Sequence, residues 1–217
     1  MDMLANDTGS PREAEALAQL DRIFASSVDP ERIAAIIIEP VQGEGGFTIA
    51  PFSFLRALRK ICDQHGIVFI ADEVQAGMAR TGRMFGVNHA DVAPDLITMA
   101  KGLAGGFPLS AVTGRADIVD APNPGGVGGT YAGNPLAIAA SHAVLDVMAE
   151  EQLPARAQKL GDQLIGHLIA QRAVHPRIGD VRGLGAMVAC EFIDAKTGAP
   201  DAGLTKQVLA AALRRGL

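Results

Sequence analysis

The sequence has no tryptophan and a single tyrosine among its 217 residues, and aromatic residues make up only 4% of it. Stacking platforms for nucleic-acid bases are therefore scarce. Positive charge is also in short supply: 19 Lys and Arg stand against 24 Asp and Glu, a formal net charge of -5. That balance repels phosphate backbones and argues against nucleic acid or an anionic membrane as a partner. Cysteine is nearly absent. Cys62 and Cys190 lie far apart, with no CxxC and no histidine at zinc spacing. Neither a disulfide framework nor a metal site is expected, and both cysteines read as reduced thiols filling core space. No apolar run is long enough to span a bilayer, and residues 1–7 carry acid where a secretory leader carries base. A cytoplasmic location is the expectation.

What is present is apolar material, 48% hydrophobic against 20% charged, enough for the core of one large domain or of one domain plus part of a second. Short β-branched runs alternate with amphipathic stretches, the pattern of an α/β domain with a largely parallel sheet. Residues 34–38 read as the first strand. Residues 51–65 read as a helix, with Phe54, Leu55, Leu58, Ile61 and Cys62 at helical spacing, Pro51 suited to the first turn and Gly66 to the end. Residues 67–71 form a continuous apolar run expected to be a buried strand, and 95–100 and 110–113 contain two more. Beyond Asn134-Pro135 come long helical patterns at 135–150 and 152–172, strands at 178–181 and 187–193, and a helix from about 202 to 215. Leu204, Val208 and Leu213 are expected on the inner face of that last helix. Residues 1–150 are thus expected to form part of a large domain and 151–217 the start of a smaller one. The chain stops where another strand should begin, and the first thirty residues, helix-like over 11–24, read as the remains of a longer half. Truncation at both ends is expected.

Two features carry chemistry. Phe69-Ile70-Ala71-Asp72-Glu73 brings two carboxylates to the carboxyl end of an apolar strand, where open α/β sheets form their ligand crevice. Asp at such a place also caps turns, and an acidic strand end also binds magnesium in nucleotide hydrolases. Those enzymes need GxxxxGK[ST], which this chain lacks. The second feature is Lys101, one of only five lysines. It leaves the strand around Leu96-Ile97-Thr98-Met99-Ala100 and enters Gly102-Leu103-Ala104-Gly105-Gly106. Small apolar neighbours are expected to strip solvent from its amine and make it a nucleophile; the alternative is a lysine that simply exits into solvent. Together, an acid and an amine at neighbouring strand ends suit a pyridoxal phosphate (PLP) site. The lysine forms the imine, and the aspartate keeps the pyridine nitrogen protonated so that the ring can accept electrons.

With these residues in place, the sequence resembles the class III PLP-dependent aminotransferases, and within them the 4-aminobutyrate aminotransferase group. The likeness rests on Ile38-Glu39-Pro40-Val41-Gln42-Gly43-Glu44-Gly45-Gly46, Ala71-Asp72-Glu73-Val74-Gln75-Ala76-Gly77, Arg80-Thr81-Gly82, Ala93-Pro94-Asp95-Leu96, Lys101-Gly102-Leu103-Ala104-Gly105-Gly106-Phe107-Pro108-Leu109, Gly128-Gly129-Thr130-Tyr131-Ala132-Gly133-Asn134-Pro135 and Gly179-Asp180-Val181-Arg182-Gly183-Leu184-Gly185. These motifs occur in the family's order, with its spacing between Asp72 and Lys101.

The resemblance implies a fold type I PLP-dependent transferase: the central part of the large mixed-sheet α/β domain, plus the start of the small C-terminal α+β domain. It implies Lys101 as the imine-forming lysine and Asp72 as partner of the ring nitrogen. Val74 would pack on one ring face, and Gln75 would hydrogen-bond near the phenolic oxygen. Thr130 would reach the cofactor phosphate of a neighbouring subunit, behind the glycine-rich stretch 125–129. Glu44 would be a gate that ion-pairs with an arginine of the C-terminal domain and yields to a dicarboxylic substrate; no such arginine is identifiable here. Glu39 would support the same pocket or serve a structural role at the strand end. The implied reaction moves an amino group from an omega-amino acid, 4-aminobutyrate, to 2-oxoglutarate, giving succinate semialdehyde and glutamate, in a homodimer or dimer of dimers. Two alternatives stand beside it: a catalytically incomplete fragment or non-catalytic module of the same fold, and a class III enzyme acting on ornithine, acetylornithine or a diamine.

Overall fold

The structure, a computed structural model, describes residues 11–217; the acidic opening at residues 1–7 falls outside them. After helix α1 (Pro11–Ser26), strand β1 (Ala35–Ile38) leads through a long loop into α2 (Phe52–His65) and back into β2 (Val68–Asp72). The helix is bounded as its sequence demands. Pro51 precedes its first turn, and Gly66 takes φ 67°, its N–H closing on the Cys62 carbonyl. Leu55, Leu58 and Cys62 form its buried face and pack with Phe69 and Ala71 of β2 and with Val87 and Ala90 of a short 3-10 turn, Gly86–Ala90.

Strands β3 (Leu96–Met99) and β4 (Ala111–Gly114) complete a sheet of order β1-β2-β3-β4, parallel except for β4. Its register sets Ile38 beside Ala71 and Asp72 beside Thr98. β1 has one open face: Ile37 is 60% exposed. The sheet is tied at its opposite end by Asp95. This buried carboxylate accepts from the Phe69 N–H at 2.7 Å, Arg59 Nη1 at 2.7 Å and Arg115 Nη1 at 3.0 Å. Burial alone would raise its pKa, but these three donors outweigh burial and hold it below the usual value.

A short helix α3 (Ala116–Val119) precedes α4 (Pro135–Glu150), which the Asn134 side chain caps by accepting the Leu136 N–H at 3.0 Å. Helix α5 (Leu153–Val174) then packs on a separate antiparallel hairpin, β5 (Ile178–Leu184) and β6 (Met187–Phe192), before α6 (Ala202–Arg214). β5 runs three residues past the expected end at 181, because its pairing with β6 continues to Leu184–Met187. At the hairpin tip Gly185 takes φ 55°, and a Cβ on Gly161 of α5 would lie 1.8 Å from the Gly185 carbonyl oxygen. Helix and hairpin meet at a distance that a side chain at position 161 would not permit. The expected inner face of α6 is not realised. Leu204 is half-buried, but Val208 is 37% and Leu213 76% exposed, because β6 covers only part of the helix. Cys62 is buried and Cys190 partly so, and both are free thiols.

Candidate active site

β2 and β3, lying side by side and parallel, deliver the two reactive groups to one edge of the sheet. Asp72 ends β2. Its Oδ1 accepts the Val74 N–H at 3.1 Å, which fixes the carboxylate. Beside it, Thr98 holds a buried hydroxyl with no hydrogen-bond partner among the described residues. β3 ends at Met99, and two residues later Lys101 opens a 3-10 turn, Lys101–Ala104, closed by Gly105 at φ 58°. Lys101 itself sits at φ 46°, a left-handed backbone that non-glycine residues rarely adopt. The expected loss of solvent around its amine is not realised in this chain, where Lys101 is exposed. The buried neighbours, Leu103 and Ala104, lie on the other side of the turn, facing α4.

A cavity of about 300 Å³ gathers Val74, Gln75 and Lys101 with Phe47, Ala186 and Met187. Three of the sequence-predicted residues thus share one space, and Asp72 stands two residues before Val74. The wall opposite comes from the β5–β6 hairpin. Leu184 and Met187 cluster with Val41 and Ala76, and the Ala186 N–H donates to the Arg80 carbonyl at 2.9 Å. Thr130 is not brought to this cavity. It lies exposed in a turn after the 125–129 stretch, where Gly125 and Gly128 take φ 77° and 153°.

Glu44 has a partner the sequence did not disclose: Gln75 Nε2 donates to its Oε1 at 2.9 Å. Glu39 turns inward to accept the Gly43 N–H at 2.7 Å, which closes the loop that carries Glu44. At the far end of the loop Arg182 reaches across from β5, with Nε 2.9 Å and Nη2 2.5 Å from the Gly46 carbonyl oxygen.

Sequence reasoning counted Glu73 as a strand-end carboxylate without foreseeing its burial, and gave Arg182 no role of its own. Glu73 is fully buried and accepts the Gly86 N–H at 2.9 Å and the Val87 N–H at 2.8 Å. Burial pushes its pKa up to about 7; the two backbone donors oppose this, and the charge of Asp72 adds to it. The signal was available, since Phe69, Ala71 and Glu73 fall on one face at strand periodicity. Arg182 had no such signal, because its acceptor lies 136 residues away.

The donor set fits PLP chemistry: a carboxylate and an amine at adjacent strand ends, a β-branched side chain between them and an amide donor close by. Among the described residues no cluster of His, Cys, Asp and Glu could hold a metal, and no helix is long and apolar enough to cross a membrane.

Comparison with known proteins identifies the family. Residues 3–217 match the family aminotransferase class-III. Over 206 residues the chain is 54% identical to the 4-aminobutyrate aminotransferase GabT of Escherichia coli (strain K12), which covers 94% of this chain and 48% of that protein. It is 51% identical over 203 residues to the 5-aminovalerate aminotransferase DavT of Pseudomonas putida, with the same coverage. The chain therefore spans about half the length of the curated relatives it matches. Among solved structures, an amine transaminase from an uncultivated Pseudomonas species in its PLP-bound form superposes with a TM-score of 0.87 at 38% identity, over 96% of this chain and 50% of that one. An ornithine aminotransferase from Toxoplasma gondii superposes at 0.74 and 37%, over 83% and 40%.

Proposed function

The chain belongs to the class III aminotransferases, and from that premise we propose that the complete protein is a PLP-dependent enzyme that moves the amino group of an omega-amino acid to a 2-oxo acid. The substrates proposed are 4-aminobutyrate and 2-oxoglutarate, with succinate semialdehyde and glutamate as products. The observation that carries the reading is the meeting of Lys101, Val74 and Gln75 in one cavity beside the end of β2, where Asp72 stands. Support for the substrate class comes from relatives named for four- and five-carbon omega-amino acids.

When bound, PLP supplies an electron sink for the substrate carbanion. Asp72 would hold the ring nitrogen in its protonated form, its carboxylate kept in place by the Val74 N–H. The Lys101 amine would take the proton from the amino-bearing carbon of the substrate, the general acid–base step. Val74 would flank one ring face. Gln75 spends one of its two amide protons on Glu44 and retains the other for the phenolic oxygen. Thr130 would serve the phosphate of a second copy, in a homodimer or dimer of dimers; Val127 and Tyr131 beside it are 78% and 84% exposed, as an uncovered interface would be. We assign residues 1–150 to the large domain and 151–217 to the start of the small one, and infer that the 217-residue chain alone does not turn over, since its Lys101 stands open to water.

The test is Lys101→Ala in the complete protein. Both the visible absorption of lysine-linked cofactor and transamination of 4-aminobutyrate are expected to vanish. Turnover at the wild-type rate would overturn the assignment.

A further inference from the structure

Two consecutive carboxylates mark the end of β2, and strand alternation sends them to opposite faces of the sheet. Asp72 is the proposed partner of the ring nitrogen. Glu73 has no part in that chemistry, yet it is fully buried and each of its polar groups is engaged. Its N–H donates to the Thr98 carbonyl of β3 at 3.0 Å, and its carbonyl accepts the Gly77 N–H at 3.0 Å. Oε1 accepts the Val87 N–H at 2.8 Å and Oε2 the Gly86 N–H at 2.9 Å. The turn that supplies these two donors is firm in itself: Asn88 Oδ1 accepts the Phe85 N–H at 3.0 Å, and Val87 and Ala90 sit in the core with Phe69 and Ala71. Little room surrounds the contact. A Cβ on Gly86 would lie 3.2 Å from Pro40 Cβ and 3.3 Å from Glu73 Oε2. Burying an acid costs free energy that an apolar side chain would not, and what the acid adds here is direction: two oxygens on two successive N–H groups, where an amide could accept only one.

We propose that Glu73 is a positioning residue: by gripping the Gly86–Val87 turn from one face of the sheet, it fixes the angle at which Asp72, on the other face, meets the ring nitrogen of the cofactor. This role rests on the function proposed above. Asp72 and Glu73 share a peptide unit, so any rotation of the β2 end about its own axis moves both side chains together. A hydrogen bond weakens steeply as its angle closes, and the contact between Asp72 and a charged ring therefore depends on that rotation being stopped. Four contacts on Glu73 stop it. Val74 and Gln75 lie within the turn that the Glu73 carbonyl closes on Gly77, so the two other cofactor-facing side chains hang from the same anchor.

The experiment uses the complete protein loaded with PLP whose ring nitrogen is isotopically labelled for NMR, as wild type, Glu73→Gln and Gly86→Ala. The first variant keeps the size of the side chain and loses one acceptor; the second leaves the carboxylate in place and presses on it. Amide hydrogen exchange at Gly86 and Val87 reports the grip, and the Phe69 N–H, held by Asp95 at the other end of β2, reports global stability. Glu73→Gln is expected to speed exchange at Gly86 and Val87 roughly tenfold relative to Phe69. It is also expected to move the nitrogen signal from the protonated toward the neutral position and to lower kcat about tenfold with KM for 4-aminobutyrate unchanged. Gly86→Ala should act in the same direction, about threefold in kcat. A looser turn with an unmoved nitrogen signal makes the role purely structural and overturns the proposal. A signal that moves in Glu73→Gln but not in Gly86→Ala assigns the effect to charge and overturns it as well. Should Glu73→Gln fail to fold, Gly86→Ala decides by the same two readouts. Wild-type protein that takes up no PLP, or holds it with a neutral nitrogen, overturns the function proposed above and this role with it, whereas a protonated nitrogen unmoved in both variants overturns the role of Glu73 alone.

Discussion

Replacing Gly161 by alanine sets two physical effects against each other, and the structure says which prevails. In a helix interior the change should help: alanine is favoured over glycine by roughly 0.8–1.0 kcal/mol. At Gly161, however, the new Cβ would lie 1.8 Å from the Gly185 carbonyl oxygen and 2.6 Å from its carbon, where carbon and oxygen ordinarily approach to about 3.3 Å. Neither partner is the tip of a flexible side chain. Gly185 cannot retreat, since a Cβ at its own position would lie 2.2 Å from the Thr81 carbonyl carbon, which marks how closely that backbone lies behind it. Helix α5 must therefore withdraw by an ångström or more. Overpacking costs about 1–3 kcal/mol, with a rigid backbone contact at the upper end, so the net change is a loss of roughly 1–2 kcal/mol. Gly166, in the same helix with nothing within 4 Å of its virtual Cβ, supplies the control. Urea unfolding of the complete protein should show Gly166→Ala moving the midpoint up and Gly161→Ala moving it down. Two upward shifts of equal size would refute the close approach of helix and hairpin.

Asp72→Asn should preserve the fold and lower transamination steeply, because a neutral amide cannot stabilise a charged pyridine nitrogen; steady-state rates at saturating cofactor check this, and an unchanged rate would assign the role to another acid. Asp95→Ala should cost about 1–3 kcal/mol, since it leaves the buried Phe69 N–H without an acceptor and Arg59 with Asp63 alone, as measured by denaturant unfolding. The folded pKa of Asp95 is depressed, so its contribution is fully present above the unfolded carboxylate value near 4 and fades as pH falls through the lower folded value; acid unfolding of the alanine variant should lack that component. Glu73 has the opposite sign. Raised to about 7 in the fold, it favours the native state below the unfolded pKa and loses that advantage between about pH 4.5 and 7, on the order of 3 kcal/mol. Glu73→Gln should flatten stability across that window relative to wild type, and an identical slope in the two proteins would remove Glu73 as the cause.

Local chemistry made much of this molecule legible from its residues. Pro51 and Gly66 bracket α2 as their fixed and permissive φ values require, and the apolar runs at 34–38 and 67–71 become β1 and β2 within a residue or two. That Asp72 and Lys101 follow neighbouring parallel strands to the same sheet edge was readable from the strand pattern. What escaped reading depends on distance in the chain. Arg182 meets Gly46 only after the hairpin folds back, and the contact of Gly161 with Gly185 is a property of two backbones rather than of any side chain pattern. The exposure of Lys101, and of Val208 and Leu213 on α6, departs from periodicity for a different reason. An apolar stripe states which face seeks cover, and the elements packed in this chain leave those positions open.

The left-handed backbone at Lys101 makes its Cα a pivot rather than a link in the strand. Ala100 before it is still extended at φ -161°, and the turn after it is locked by the Gly105 N–H on the Gly102 carbonyl, so the chain is stationary on both sides. Holding a non-glycine residue in that region costs on the order of 1–3 kcal/mol. The amine then travels as the load of a crane does, by rotation about side-chain torsions over a fixed footing. Shifting the lysine to position 100 or 102 would therefore change the plane of the swing as well as its origin, because neither neighbour shares that backbone handedness. A redesign that seeks a different reach for the proposed proton transfer has to alter the length of the arm while leaving its base at residue 101.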